Sequence, residues 1–121
     1  MEPTQTIKLI IPSLPPTDNH LYGQVGRRRF MYKAGKDWKA TLQLLAKTEW
    51  KNKKLLVGNL EANITFYLKR DRDLHGSLKL IFDSLENIVY KNDKQIKDEH
   101  LHKRIDKLYP RIEITIKPLT N

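Results

Sequence analysis

The sequence contains no cysteine, and this absence excludes disulfide bonds, thiolate metal sites and cysteine nucleophiles together. It also lacks a long apolar run, so we expect no membrane-spanning helix and no signal peptide, and by default a cytoplasmic location. Linker-like, repetitive and low-complexity tracts are missing as well. With 121 residues, the chain is therefore expected to form a single domain over residues 1–121.

Acidic residues are the scarcer charged type. The chain has 14 Asp and Glu against 23 Lys and Arg, which gives a net charge of +9 and an isoelectric point near 9.8. Such a charge favours a polyanionic partner, because neutralising phosphates with basic side chains releases condensed counterions. An anionic membrane surface would attract the same charge, but no basic amphipathic helix is evident, so we expect no membrane partner.

The few acidic residues are concentrated in one part of the chain. Half of them fall between positions 71 and 99, namely Asp71, Asp73, Asp83, Glu86, Asp93, Asp98 and Glu99. This span holds only five Lys or Arg, so its formal charge is −2 and the remainder carries +11. A metal-dependent enzyme that acts on a polyanion needs basic residues to bind the substrate and a cluster of acidic residues to bind the metal, and this distribution of charge fits both needs.

Hydrophobic periodicity predicts alternating strands and helices. Strands are expected over residues 6–11, 61–68 and 111–117, and a further extended segment is expected to follow the polar turn at 89–96 and to run through 101–105. Helices are expected over 34–50 and from 76 to about 87, because both ranges carry an apolar stripe at helical spacing. The first helix is expected to cover a sheet, and residues 13–20 are expected to form a loop.

A basic and aromatic stretch follows this loop. Arg27, Arg28 and Arg29 lie between Tyr22 and the pair Phe30 and Tyr32, so the cations can meet phosphates while the rings stack on bases or sugars. The alternative is a solvated arginine run at a hairpin tip with its aromatic residues buried. Both interpretations stay open on the sequence alone.

Acidic side chains and one lysine occupy positions from which they could converge. Asp71 and Asp73 follow a predicted strand, Lys79 and Asp83 share a helix face with Glu86, and Asp93 lies in a later turn. Carboxylates from a strand end and a turn, with a lysine between them, can hold a hard divalent cation against a phosphodiester. The alternative is a surface Lys79–Asp83 ion pair and an aspartate that only caps its turn. We favour the functional interpretation for Lys79 and the ion pair for Asp83.

Several of these motifs together resemble the RusA-type Holliday junction resolvases. The central motifs are Arg72-Asp73-Leu74, Lys79 six residues after Asp73, Phe82-Asp83-Ser84-Leu85, Val89-Tyr90 and Asn92-Asp93-Lys94-Gln95-Ile96. The segment Pro15-Pro16-Thr17-Asp18-Asn19, followed by Tyr22, is similar to the N-terminal segment of that family. The resemblance covers essentially the whole chain.

This resemblance implies an α+β fold, with a small mixed β-sheet covered by two main helices, in a two-fold homodimer. It also implies an endonuclease that cuts branched DNA at four-way junctions by paired nicks, with Mg²⁺ or Mn²⁺. Asp73 and Asp93 would be metal ligands and Lys79 a phosphate or transition-state contact. The expected nucleic-acid contacts are Asn19, Tyr22, Arg27, Arg28, Arg29 and Lys79. The competing hypotheses are a weakened or inactive branched-DNA-binding protein of the same fold and an RNA-binding module.

The sequence departs from the family pattern at His75, where a second aspartate is usual, and at Gly76, where asparagine is usual. His75 could itself ligate the metal, which would favour manganese. Alternatively, Asp71 could supply the missing charge, or the site could be weakened. We favour a metal site to which Asp71 and His75 both contribute, beside Asp73 and Asp93. The competing interpretation of His75 is a polar residue at the start of a helix with no ligand role.

Overall fold

The computed structural model describes residues 5–51 and 53–119, apart from the side chains of Asp18 and Asn19. The strands are β1 (Ile7–Ile11), β2 (Tyr22–Val25), β3 (Arg28–Met31), β4 (Leu60–Leu68), β5 (Ile96–Ile105) and β6 (Arg111–Pro118). The helices are α1 (Asp18–Leu21), α2 (Lys33–Trp50) and α3 (His75–Leu85), and a 3-10 turn lies at Asp93–Gln95.

Four strands form one mixed sheet in the order β1-β6-β4-β5. β6 runs antiparallel to both β1 and β4, whereas β4 and β5 are parallel. Side chains alternate between the two faces of a strand, and β4 follows this period-two pattern along its whole length. Its core-facing residues are Leu60, Ala62, Ile64, Phe66 and Leu68. The predicted α+β fold with a mixed sheet and two main helices is confirmed.

The two main helices complete the hydrophobic core. α2 carries the predicted apolar stripe and buries Trp38, Leu42, Ala46 and Trp50, whereas Leu45, which was expected in the stripe, is only partly buried. The helix ends where Lys51 adopts a left-handed conformation with φ of 55°. α3 buries Leu80, Ile81 and Leu85, among others, in the same core. It also forms the crossover that two parallel strands such as β4 and β5 require.

Three local features differ from the sequence-based predictions. The loop predicted over residues 13–20 contains the single helical turn α1. The basic stretch forms a separate hairpin, β2–β3, whose tip includes Gly26 with φ of 60°. α3 ends at Leu85 rather than near residue 87, because Glu86 is already extended and Asn87 has φ of 65°. In the described ranges, no helix is long and apolar enough to cross a membrane.

Candidate active site

Three carboxylates converge beside the end of α3. One possible ligand oxygen from each of Asp83, Glu86 and Asp93 lies within 4.8 Å of the others, and all three residues are partly buried. We call these residues the α3-turn group. In the described part of the chain, no other set of three acidic or histidine side chains meets this spacing.

The backbone between α3 and β5 builds this group locally. Asp83 lies in the last turn of α3, and Glu86 follows the helix in an extended conformation. The chain then reverses at Asn87, whose positive φ suits asparagine better than most residues, and the Asn87 amide donates to the Tyr90 carbonyl at 2.6 Å. Glu86 Oε2 accepts a hydrogen bond from the Asp93 amide at 2.9 Å. Glu86 therefore connects the helix end to the turn that carries Asp93.

Tyr90 anchors the same turn to α3 from inside the core. Its side chain is fully buried, and its hydroxyl donates to the Phe82 carbonyl at 2.7 Å. Burial is the main cause of a raised pKa for Tyr90, and the nearby carboxylates, Asp93 first among them, add to it. The hydroxyl therefore stays protonated and serves as a permanent hydrogen-bond donor.

Gln95 fixes the other side of the turn. Its Oε1 accepts from the amides of Lys91 and Asn92, each at 3.0 Å. Its Nε2 donates to the carbonyls of Leu56 and Gly58 at 3.0 and 3.1 Å. One side chain thus orders the residues that carry Asp93 and ties them to the segment that precedes β4.

Lys79 supplies positive charge next to the α3-turn group. Its Nζ lies 3.2 Å from Asp83 Oδ2, one helical turn away, so the ion pair predicted from the sequence is present. The hydrogen bond and charge of Asp83 raise the pKa of Lys79, and Tyr22 and Asp93 add smaller contributions. Because its ordinary pKa is already above 10, Lys79 is fully charged at neutral pH and is not suited to act as a general base.

The remaining predicted ligands, Asp71, Asp73 and His75, form a second set that we call the loop group. The Asp73 Oδ1 accepts from the His75 amide at 3.1 Å and lies 2.7 Å from His75 Nδ1. The backbone hydrogen bond from His75 is the largest cause of a lowered pKa for Asp73. Asp71 Oδ1 lies 3.0 Å from Lys103 Nζ, and this hydrogen bond is the main cause of its lowered pKa.

The two groups lie at opposite ends of α3. The loop group follows the carboxyl end of β4 and includes the first residue of α3, whereas Asp93 comes after the helix. β5 then starts with Ile96 paired to Leu60, at the other end of β4. A helix of 11 residues rises by about 16 Å. Of the four predicted metal ligands, only Asp93 therefore belongs to the α3-turn group.

Asp83 and Glu86 are the members of the group that the sequence did not indicate as ligands. The available signal was their spacing, because Lys79, Asp83 and Glu86 occupy positions i, i+4 and i+7 on one polar face. The spacing could not predict that Asp93 lies next to Asp83 and Glu86, because this depends on the turn at Asn87.

The predicted nucleic-acid contacts gather on and near the β2–β3 hairpin. Arg27, Arg28 and Arg29 are exposed, and the Arg29 guanidinium lies 4.0 Å from the centre of the Tyr22 ring. Phe30 and Tyr32 are 39% and 44% exposed, so the alternative in which these rings are buried does not describe them. These rings pack edge to face. The Asn19 prediction concerns a side chain outside the described part of the structure.

Arg72 connects the loop group to the segment that leads to the hairpin. Its Nη2 donates to the Pro15 carbonyl at 2.7 Å and lies 3.4 Å from Ser77 Oγ. This contact joins residues 57 positions apart in the sequence. The proline-rich segment is thereby held against the start of α3.

The donor chemistry of the α3-turn group fits a hard divalent cation. Carboxylate oxygens are the ligands that Mg²⁺ and Mn²⁺ prefer, and the chain contains no thiolate that would select a softer metal. Lys79 leaves part of the negative charge of the group uncompensated, since it pairs with only one of the three carboxylates.

Comparison with protein families identifies the chain. No curated protein matches it. The family model described as Endodeoxyribonuclease RusA, however, matches residues 12–117, a range that contains β4, β5, all of β6 but its last residue, both main helices and both acidic groups. The resemblance seen in the sequence motifs is confirmed. The chain therefore belongs to the endodeoxyribonuclease RusA family.

Proposed function

We propose that this protein is a Mg²⁺- or Mn²⁺-dependent endonuclease that resolves four-way DNA junctions by paired nicks. It acts as a homodimer in recombination and repair in the cytoplasm. The observation that carries the proposal is the α3-turn group with Lys79 beside it, in a chain of an endodeoxyribonuclease family.

Asp83, Glu86 and Asp93 would hold the cation. When bound, it supplies positive charge at the phosphodiester and lowers the pKa of water. Lys79 contacts the scissile phosphate and stabilises the negative charge that develops there, because it remains an ammonium ion at neutral pH. The Lys79–Asp83 pair holds this charge in position before DNA arrives.

Asp73 is a further catalytic residue in this proposal, on the strength of the family motif. Its Oδ1 is engaged by His75 in the free protein, so His75 must move or share that oxygen when Asp73 acts. Asp71 and His75 remain proposed contributors to the same function, with effects smaller than that of Asp73. The exposure of the loop group leaves its side chains accessible to a DNA backbone.

The β2–β3 hairpin is the proposed DNA contact. Its three arginines can pair with phosphates, and the exposed Phe30 and Tyr32 rings can pack against sugars or unstacked bases. Tyr22, at the start of the hairpin, lies close enough to Lys79 to make a small contribution to the raised pKa of that lysine. This proximity supports a DNA path that runs from the hairpin to the α3-turn group.

The test incubates the purified protein with a synthetic four-way junction and with a linear duplex of matched sequence, in Mg²⁺ and in Mn²⁺. We expect symmetric nicks in the junction only, and we expect Asp93→Asn to abolish them while junction binding, measured by gel shift, is retained. Tight junction binding without cutting in either metal would contradict the enzyme and support the second candidate.

That second candidate is a branched-DNA-binding protein with weakened or absent catalysis. The observation that favours it is the pairing of Asp73 with His75, at the position where the family usually has a second carboxylate. Equal affinity for a junction and for single-stranded RNA would instead favour an RNA-binding module.

A further inference from the structure

The two edges of the mixed sheet differ in how they are protected. β1 has five residues and is followed by Pro12, two features that natural proteins use to keep an edge from pairing. β5 has ten residues, contains no proline and follows β4 without a register break from Asp98 to Ile105. Every residue of β5 after Ile96 is exposed. This edge is therefore open to another strand.

The charges along β5 are arranged symmetrically about Leu101. Asp98 and Glu99 precede it, whereas Lys103 and Arg104 follow it at the same distances. In an antiparallel pair of two copies centred on Leu101, Asp98 faces Arg104 of the partner subunit and Glu99 faces Lys103 of the partner subunit. Within its own chain Lys103 also donates to Asp71 and to the Arg72 carbonyl, so the two Asp98–Arg104 contacts carry most of the charge complementarity. Opposite charges at facing positions stabilise a strand pair, and like charges destabilise it. A parallel pair in register would place each charge against its own copy.

We propose that β5 pairs antiparallel with β5 of a second copy of this chain, across a two-fold axis at Leu101. The two sheets then form one continuous sheet of eight strands. This inference rests on the homodimer of the proposed function and names its interface.

The apolar residues of β5 agree with this pairing. Leu101 and Ile105 are 42% and 58% exposed, and they pair with the core-facing residues Ile64 and Leu68 of β4. Leu101 therefore projects to the helix side of the sheet, where its side chain packs against its own copy across the axis. The two-fold axis of an antiparallel pair is perpendicular to the sheet, so α3 of both copies lies on one side.

DNA fits this edge less well than a second copy does. The acidic half of β5, Asp98 and Glu99, would repel phosphates along the same strand on which Lys103 and Arg104 attract them. A second copy in the antiparallel orientation places opposite charges against both the acidic and the basic half of β5.

A cysteine crosslink tests the register directly, since the chain has no cysteine of its own. In the proposed pair the two Leu101 Cα atoms lie about 4.5–5.5 Å apart, within reach of a disulfide. Leu101→Cys is expected to give a covalent dimer on mild oxidation. The control Ile105→Cys, on the same face of the same strand, is expected to stay uncrosslinked because its two copies lie about 27 Å apart. The opposite pattern would overturn the register.

Charge exchange at Asp98 and Arg104 provides the second test. Both side chains are exposed, and neither belongs to the acidic groups near α3. Asp98→Arg or Arg104→Asp alone should weaken dimerisation about 10-fold, because each creates two like-charge contacts across the axis. The double variant, and an equimolar mixture of the two single variants, should restore the dimer.

Sedimentation equilibrium of the full chain reads out the mass of each variant, with a monomer of 14.3 kDa. A dimer insensitive to all these changes would overturn the β5 interface while leaving the homodimer intact. A monomer at every concentration would overturn both. Unchanged mass with altered junction affinity would assign the edge to DNA instead. Junction nicking by the unaltered protein is measured separately, so failure of the proposed activity and failure of the proposed interface are distinguished.

Discussion

The α3-turn group and the loop group contain similar residue types but differ in how the chain holds them. Side chains of the loop group are 81% (Asp71), 67% (Asp73) and 91% (His75) exposed, and each carboxylate has a local cation or histidine as partner. Asp83 is 32% exposed, and it shares its space with Glu86 and Asp93. Three carboxylates that share one partly buried position, with Lys79 paired to only one of them, favour a cation more strongly than exposed and individually paired carboxylates do.

The largest expected effect concerns the lysine beside the α3-turn group. Lys79→Ala should lower the junction nicking rate about 10²- to 10³-fold, because it removes a charge held at the phosphate. Lys33→Ala, which removes an exposed i, i+4 ion pair with Asp37 outside both groups, is the matched control and should cost far less. Single-turnover rates check the difference, with gel shifts expected to show almost normal binding for Lys79→Ala. Loss of the folded state in Lys79→Ala would show that this lysine is structural.

Cation affinity should separate the groups next. Glu86→Gln is expected to weaken Mn²⁺ binding to the protein alone roughly 10- to 100-fold, because the group loses one of its charges. Asp73→Asn serves as the matched variant and should change this affinity less. Calorimetric titration measures both, and a larger loss for Asp73→Asn would assign the cation to the loop group.

A smaller effect is expected from restoring the usual family residue in the loop group. His75→Asp removes the ring beside Asp73 Oδ1 and adds a carboxylate, so the nicking rate in Mg²⁺ relative to Mn²⁺ should rise at least about 3-fold. Rates measured in the two metals give this ratio. An unchanged ratio would argue that residue 75 never contacts the metal.

Asp71→Asn should have the smallest effect. Its ion pair with Lys103 is exposed, and such pairs contribute little to stability. We expect a nicking rate within about two-fold of the unaltered protein and no measurable change in Tm. A large loss of nicking would show that Asp71 replaces the missing family aspartate.

The sequence was most informative where structure is local. The stripe of α2 and the alternation of β4 and β6 predicted those elements closely, because each pattern reflects a single buried face. The sequence placed Lys79 and Asp83 on one helix face for the same reason. The end of α3 was predicted too far along the chain, since the apolar pattern continues to Ile88 although the backbone turns at Asn87.

Features that depend on contacts distant in sequence could not be predicted in the same way. Glu86 joins Asp93 only because Tyr90 and Gln95 fix the turn between them, and Gln95 does so through carbonyls at Leu56 and Gly58. The loop and α3-turn groups were treated as one site because the sequence does not show that a parallel crossover separates them.

The left-handed turn at Asn87 links the affinity for a cation to the stability of the protein. All three carboxylates of the α3-turn group come from a stretch of 11 residues that reverses at this one position. A cation that binds only the reversed chain stabilises that conformation, and the pre-formed turn raises the affinity for the cation by the same free energy. A β-branched residue at position 87 would oppose the left-handed conformation and thereby weaken cation binding without changing any ligand. Glycine at that position would preserve it.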